Sequence, residues 1–148
     1  INDRIDIALS VDADGVHLGQ EDLPYSIARR LLGKKRIIGL TILNVKEAIE
    51  AKNLGANYLS VSPIFATSTK QDAGIPVGIE LIKKIKKQVS IPIVAIGGIN
   101  LLNAKEVIRA GACGLCAISA VITQPDVKFE IEKFQKLFRY KKNKGRER

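Results

Sequence analysis

Hydroxyl and cationic side chains crowd together where one apolar segment of the sequence ends. The strand-like run from Tyr58 to Phe65 is followed within five positions by three hydroxyls and a cation, Thr67, Ser68, Thr69 and Lys70. Donors at this density suit an anionic ligand such as a phosphate group. The spacing therefore predicts an anion-binding loop, with a plain solvated turn as the alternative.

The ends of the last two strand-like segments offer further phosphate donors. Gly97 and Gly98 follow "IPIVAI", and glycines let backbone N–H groups come close to a ligand. Ile118 and Ser119 end the next apolar segment and add N–H groups and a hydroxyl. A glycine pair alone more often serves a turn. Together with Ser119 and the hydroxyl-rich loop, it predicts a phosphate cradle.

Two carboxylates, Asp3 and Asp22, lie beyond the ends of adjacent predicted strands. Such a pair suits Mg²⁺, a hard ion that takes one or two carboxylates together with phosphate oxygens and water. Each aspartate alone also fits a helix cap, before Ile5 in one case and before Pro24 in the other. The spacing leaves both interpretations open.

The elements that must position these residues alternate along the chain. Small or turn-forming residues recur between helix and strand in "DADGV", "LGANYL" and "AGACGL", which indicates a repeated βα unit and hence parallel strands. Asn44 and Glu47 predict a capping box, and Asn100 or Asn103 is expected to cap a later helix. Strands are expected over 15–19, 36–42, 58–65, 91–99 and 114–122, and helices over 5–11, 25–33, 44–55, 78–89, 104–112 and 129–138.

Parallel strands leave two main α/β architectures. A doubly wound sheet would usually show a glycine-rich turn after its first strand, and the sequence shows none. A TIM (β/α)8 barrel carries its chemistry at the carboxyl ends of its strands, where polar residues such as Thr41 cluster here. Because only five strands are evident, we expect a barrel that lacks its first three βα units. The predicted domain spans residues 1–138, and residues 139–148 are expected to form a basic, disordered tail.

Composition narrows the classes of partner. The net charge of +9 is concentrated in the helix "LIKKIKKQ" and in the tail, where it fits a solvated surface better than a nucleic-acid interface. No apolar run is long enough to cross a bilayer, and a cytoplasmic protein is expected. Cys113 and Cys116 form a C-x-x-C pair in a segment that reads as a strand, so both are expected to be reduced packing residues.

Several motifs together resemble the thiamine-phosphate synthase family. "NDR", "DGVHLGQEDLP", "IIGLT", "PIFATSTKQDA", "PVGIELI", "IPIVAIGGI", "NAKEVIRAGA" and "AISA" follow in the family's order and cover nearly the whole chain up to about Val121. The combination of "HLGQEDLP" with the downstream "TSTK" is specific, whereas the glycine pair is shared with many phosphate-binding barrels. The resemblance implies a transferase that joins a hydroxymethylpyrimidine diphosphate to hydroxyethylthiazole phosphate, releasing pyrophosphate and thiamine phosphate.

The resemblance also implies roles for individual residues. Asn2 would contact the diphosphate of the pyrimidine substrate, and Asp3 and Asp22 would hold the Mg²⁺ cofactor. Thr41 stands where the family has a serine that contacts the diphosphate, and Lys70 would neutralise this group as it departs.

The resemblance also implies a binding site for the thiazole phosphate. It would consist of Thr67, Ser68, Thr69, Gly98, Ile118 and Ser119. His17, in the middle of a strand, is expected to pack or hydrogen-bond rather than act as a general base.

Two departures from the family pattern and two rival functions accompany this interpretation. Ile42 and Leu43 replace a polar pair, and a diphosphate-binding cluster that the family carries on an earlier strand is absent from the sequence. A thiazole tautomerase-like enzyme on the same barrel and a non-catalytic regulator that binds thiamine phosphates are the alternatives. The expected partners are small molecules, with neither nucleic acid nor membrane, and a homo-oligomer is compatible with the sequence.

Overall fold

Five parallel strands form a single sheet in the computed structural model of the chain, which describes residues 1–69 and 74–144. The strands are β1 (Gly15–Leu18), β2 (Ile37–Ile42), β3 (Tyr58–Val61), β4 (Ile93–Ile96) and β5 (Gly114–Cys116). The helices are α1 (Ile5–Ser10), α2 (Tyr25–Leu32), α3 (Val45–Leu54), α4 (Gly78–Gln88), α5 (Ala104–Ala110), α6 (Ser119–Ile122) and α7 (Val127–Lys144).

The order of strands in the sheet decides between the two α/β architectures. Neighbouring strands follow the chain order β1-β2-β3-β4-β5, and every neighbouring pair is parallel. A doubly wound sheet reverses direction at a switch point, whereas a barrel adds each strand beside the previous one. The sheet therefore consists of βα units of a TIM-type barrel, as predicted.

The core lies between the outer face of the sheet and the helices that cover it. Ile38, Leu59 and Ile93 project from that face and are fully buried, as are Ile82 and Ile85 on α4. Replacing one such side chain with alanine is expected to cost about 2–5 kcal/mol of unfolding free energy, because a cavity would remain. This layer holds the strand ends in place.

Capping residues explain where two of the helices begin. The Asn44 side chain accepts from the Glu47 backbone N–H at 3.0 Å and donates to the Glu47 carboxylate at 2.6 Å, which confirms an N-terminal cap at these two residues. Asn103, one of the two predicted caps of α5, occupies the N-cap position, but its side chain makes no capping hydrogen bond there. Its amide instead bonds to the preceding loop, as described below.

The structure corrects the last predicted strand. Residues 114–122 do not form one strand, because β5 ends at Cys116 and Ser119–Ile122 form the short helix α6. Short apolar runs fit either element, so periodicity could not separate them. The strand predicted to reach Phe65 also ends early, at Val61. Beyond it, the N–H groups of Ile64 and Phe65 donate to carbonyls at the end of β4.

The last helix and the cysteines also differ from expectation. Helix α7 continues to Lys144, beyond the boundary predicted at 138, and residues 145–148 lie outside the described ranges. Cys113 and Cys116 carry free thiols as expected, but both are exposed and so are not core packing residues. Within the described ranges, no helix has the length and apolar character needed to span a bilayer.

Candidate functional site

The carboxyl ends of the strands surround one cavity of about 860 Å³. Nearly all the site residues predicted from the sequence line it, namely Asn2, Asp3, Asp22, Thr41, Thr67, Thr69, Gly98, Ile118 and Ser119. Ser68 is exposed and is not part of the lining, and Lys70 lies outside the described residues. Residues from loops far apart in sequence thus meet at one opening, as the barrel architecture predicts.

Asp3 and Asp22 stand on the same side of the cavity. The N–H of Asp3 donates to the carbonyl of His17, and Asp22 Oδ2 accepts from the Gly19 N–H at 2.6 Å. Neither aspartate is the N-cap of the neighbouring helix, since Arg4 and Pro24 occupy those positions. The helix-cap interpretation of the two carboxylates is therefore not supported.

The donor set around these carboxylates fits a hard cation. Among the described residues, no group of three or more His, Cys, Asp or Glu side chains could hold a metal ion by itself. Two carboxylates facing one cavity nevertheless match Mg²⁺, which usually completes its octahedral shell with substrate phosphate oxygens and water. Asp3 and Asp22 would be the protein ligands of such an ion.

Thr41 lines the same cavity as the two carboxylates and is held by one hydrogen bond to a strand residue and one to a loop residue. Its Oγ1 is 2.8 Å from His17 Nε2, and its carbonyl accepts from Gln20 Nε2 at 2.9 Å. Gln20 also reaches the Glu47 carboxylate, which accepts the Leu43 N–H. These bonds fix the end of β2. We call Asp3, Asp22 and Thr41 the carboxylate wall.

His17 occupies the middle of this network. Its ring lies between Thr41 and Tyr58, whose Oη is 2.9 Å from Nδ1. Burial lowers the pKa of His17, and the nearby charges of Asp3 and Asp22 partly oppose this effect. Burial also raises the pKa of Tyr58. Both shifts favour the uncharged forms of the two side chains, the imidazole and the phenol.

The opposite side of the cavity is built from backbone. Gly97 and Gly98 have φ values of +98° and +63°, in the left-handed region that favours glycine. A Cβ on Gly97 would lie 2.6 Å from Pro63 Cβ, and one on Gly98 would lie 2.5 Å from the Ala66 carbonyl oxygen. No larger residue fits this turn without displacing the loop beside it.

Asn103 holds the glycine turn in place. Its Nδ2 donates to the Gly98 carbonyl at 2.9 Å, and its Oδ1 accepts from the Asn100 N–H at 2.9 Å. Across the turn, the Phe65 N–H donates to the Gly97 carbonyl at 3.1 Å. Both carbonyls of the turn are therefore engaged on the protein side.

Ile118 and Ser119 complete this side. Ile118 is the N-cap of α6, and the Ser119 side chain is exposed at the rim of the cavity. Beside them, the Thr67 Oγ1 accepts the N–H of Thr69 at 3.2 Å, which stabilises the hydroxyl-rich loop. We call Gly97, Gly98, Ile118 and Ser119 the glycine wall.

Sequence reasoning missed some residues of the cavity. Gln20 and Cys116 also line it, and neither is among the predicted ligand contacts. Gln20 follows a strand end in the motif "HLGQEDLP", and that position was a usable signal. Cys116 is the last residue of β5 and lines the cavity, whereas the predicted strand continued to Ile122.

The cavity has two surfaces whose chemistry suits anionic groups. The carboxylate wall, with a bound cation, suits a diphosphate, while backbone N–H groups and hydroxyls of the glycine wall suit a single phosphate. The cavity is large enough for a small organic molecule between them. Such a site favours transfer between two phosphorylated substrates.

Comparisons with known proteins agree with this geometry. The family model described as thiamine monophosphate synthase matches residues 1–121. A thiamine-phosphate synthase from Chloroflexus aurantiacus is 55% identical over 127 residues, which are 86% of this chain and 58% of that protein. The thiamine-phosphate synthase of Methanospirillum hungatei is 55% identical over 137 residues, 93% of this chain and 66% of that protein.

A solved structure shows the same fold. The thiamine phosphate pyrophosphorylase from Pyrococcus furiosus superposes with a TM-score of 0.84 at 43% identity, covering 94% of this chain and 66% of that one. The chain thus spans about three fifths to two thirds of the length of the relatives it matches.

Proposed function

Because the chain belongs to the thiamine monophosphate synthase family, we propose that it forms the active site of a transferase that makes thiamine phosphate. The substrates are 4-amino-5-hydroxymethyl-2-methylpyrimidine diphosphate and hydroxyethylthiazole phosphate, and pyrophosphate is the second product. The observation that carries this proposal is the meeting of the carboxylate wall and the glycine wall in one cavity. Two anionic substrates could be held there face to face.

The proposed reaction breaks one bond and forms one. The carbon–oxygen bond between the pyrimidine methylene and its diphosphate breaks, and the electron pair leaves with pyrophosphate. The ring nitrogen of the thiazole then donates its lone pair to the methylene carbon. No proton moves in these steps, so the protein needs to stabilise charge and align the two reactants.

The carboxylate wall would serve the leaving group. Asp3 and Asp22 are proposed to hold Mg²⁺, which when bound supplies positive charge to the diphosphate. Asn2 and the Thr41 hydroxyl are placed on the cavity lining where they could donate hydrogen bonds to diphosphate oxygens. Lys70, the last residue of the motif "TSTK", is proposed to neutralise the departing pyrophosphate.

The glycine wall would align the nucleophile. The backbone at Gly98 and Ile118 and the hydroxyls of Thr67, Thr69 and Ser119 are proposed to bind the thiazole phosphate, with Ser68 in the same loop. Anchoring this phosphate fixes the direction from which the ring nitrogen approaches. The rigid turn at Gly97–Gly98 supports such preorganisation.

The proposal extends to the partners and the compartment. Both substrates are small molecules, and we propose a cytoplasmic enzyme that uses neither nucleic acid nor membrane as a partner; a homo-oligomer remains compatible with this proposal. The lysine-rich surface of α4, formed by Lys83, Lys84, Lys86 and Lys87, is exposed and does not contribute to the cavity. Its charge therefore has no part in the proposed site.

The experiment is a transferase assay with both substrates and Mg²⁺, following thiamine phosphate by chromatography. The wild-type protein is expected to release one pyrophosphate per thiamine phosphate, and chelation of Mg²⁺ is expected to abolish turnover. Substrate binding without product would favour the regulator, and conversion of a thiazole substrate alone would favour the tautomerase. Either result would overturn the proposal.

A further inference from the structure

Three inward-facing side chains of neighbouring strands form a continuous hydrogen-bonded chain that ends at the cavity. Tyr58 on β3 contacts His17 on β1 at 2.9 Å, and His17 contacts Thr41 on β2 at 2.8 Å. The His17 and Tyr58 rings are also stacked, with centroids 5.4 Å apart and planes inclined by 24°. Of the three, His17 and Thr41 line the cavity.

A glycine in the strand between them makes this contact possible. Gly39 is paired in register with His17 on one side and with Tyr58 on the other. A Cβ at Gly39 would lie only 2.0 Å from Tyr58 Cζ, so the phenol ring occupies the space that a side chain would fill. Tyr58 thus reaches across β2 to a strand with which β3 is not paired.

The two ring bonds allow only two arrangements for a neutral imidazole, which has one donor and one acceptor nitrogen. In the first, Tyr58 donates to Nδ1, Nε2–H donates to Thr41, and the Thr41 proton points elsewhere. In the second, Thr41 donates to Nε2 and Nδ1–H donates to Tyr58. Only the first leaves the Thr41 hydroxyl able to donate to a group in the cavity.

We propose that Tyr58 and His17 are positioning residues which orient the Thr41 hydroxyl as a donor toward the leaving diphosphate. This inference rests on the proposed function for the identity of the anion, but the orientation of the three groups can be tested without it. An anion in the cavity next to Thr41 favours the first arrangement. In that arrangement the Thr41 hydroxyl proton points toward the anion and attracts it, whereas in the second an oxygen lone pair of Thr41 points toward the anion and repels it. The chain Tyr58–His17–Thr41, which we call the relay, makes this arrangement available, and the bound anion selects it over the second one.

The first test reads the tautomer directly. His17 is the single histidine of the chain, so two-bond ¹H–¹⁵N correlations of the tag-free protein report on it alone, and His17→Gln identifies the signals. With Mg²⁺ and inorganic pyrophosphate as the probe, we expect a neutral ring protonated at Nε2. A ring protonated at Nδ1, or an imidazolium, would overturn the relay whether or not the protein has transferase activity.

The second test asks whether His17 acts through Thr41. Tyr58→Phe keeps the ring but removes the donor, and is expected to lower kcat about fivefold to tenfold. It should leave the KM for the thiazole phosphate unchanged, since that substrate would bind at the glycine wall. His17→Leu is expected to lower kcat about tenfold or more, and His17→Gln to restore most of the loss, because the amide can still donate to Thr41.

A double-mutant cycle between His17 and Thr41 distinguishes a positioning role of His17 from a packing role. In a Thr41→Val background, which has no hydroxyl to orient, His17→Leu is expected to lower kcat by less than about twofold further. If His17→Leu lowered kcat by the same factor in the wild-type and in the Thr41→Val background, the result would contradict the relay. Thermal unfolding of each variant checks that it is folded. If the wild-type protein made no product but showed the Nε2–H tautomer, the proposed function would fail and the relay would stand.

Discussion

The carboxylate wall and the glycine wall face each other across one cavity but are constructed differently. Thr41 and Asp22 are side chains fixed by bonds to neighbouring residues, His17 and Gly19 among them. The glycine wall relies on a backbone turn at Gly97–Gly98 with positive φ angles and no room for a Cβ. A substitution in the carboxylate wall can therefore remove a ligand group without changing the backbone. A substitution in the glycine wall is expected to change the backbone and the binding site together.

The strongest test of this difference is Gly98→Ala. We expect it to cost about 3 kcal/mol or more of unfolding free energy, because it combines a left-handed backbone with a clash against Ala66 and Phe65. Anion binding should be lost as well. Chemical denaturation and calorimetry measure the two effects.

Gly33→Ala is the matched control for this substitution. Gly33 has φ of +72°, but a Cβ added to it would meet no other atom within 4 Å. Alanine there should cost about 1–3 kcal/mol, less than at Gly98, because the strain of φ +72° with ψ −176° is not joined by a steric clash. Equal losses at the two glycines would show that the close packing of the glycine wall contributes nothing.

On the carboxylate wall, Asp22→Asn should separate activity from stability. The amide oxygen can still accept the Gly19 N–H, so unfolding free energy should change by less than about 1 kcal/mol. Loss of a charged Mg²⁺ ligand should reduce turnover about 100-fold. Steady-state kinetics over a range of Mg²⁺ concentrations provides the measurement, with Asp14→Asn, a carboxylate outside the cavity lining, as control. Near-normal kinetics for Asp22→Asn would remove it from the site.

Asn103→Ala tests whether the glycine wall depends on its anchor. The substitution removes the bonds to the Gly98 carbonyl and the Asn100 N–H, and should cost about 1–2 kcal/mol of stability and about tenfold in affinity for the thiazole phosphate. Asn44→Ala removes the α3 cap at a similar stability cost of about 1 kcal/mol, with no effect on that affinity. If Asn103→Ala and Asn44→Ala lowered the affinity for the thiazole phosphate equally, general destabilisation and not the anchor would explain the loss.

Ser119→Ala should have the smallest effect. Loss of one exposed hydroxyl at the rim should weaken thiazole phosphate binding about fivefold and leave pyrophosphate binding unchanged. Calorimetric titration with each ligand distinguishes these outcomes. A weaker affinity for pyrophosphate instead would exchange the roles assigned to the two walls.

Sequence patterns predict those features that depend on local chemistry. The repeated helix-to-strand turns, the cap at Asn44 and the polar strand ends indicate a parallel barrel and place most of the cavity lining. The strand predicted after Cys116 is wrong because Ala, Val and Ile in a short run fit a strand as well as a helix.

Long-range side-chain partners could not be predicted in the same way. The contact between His17 and Tyr58 joins residues 41 positions apart. It depends on Gly39, and the need for a glycine there becomes evident only once the strand register is known. Asn103 resembles a helix cap, yet its amide anchors the glycine turn instead. In both cases the contact depends on how the chain is folded in space, and hydrophobic periodicity does not reveal such contacts.

The central claim is that the two walls bind two phosphorylated groups in one cavity. Amide chemical-shift mapping with Mg²⁺–pyrophosphate and with hydroxyethylthiazole phosphate tests it most directly. The account predicts that pyrophosphate shifts the signals around Asp22 and Thr41, that thiazole phosphate shifts those around Gly98 and Ser119, and that both ligands bind together. Shifts confined to the lysine-rich surface of α4, or mutual exclusion of the two ligands, would contradict it.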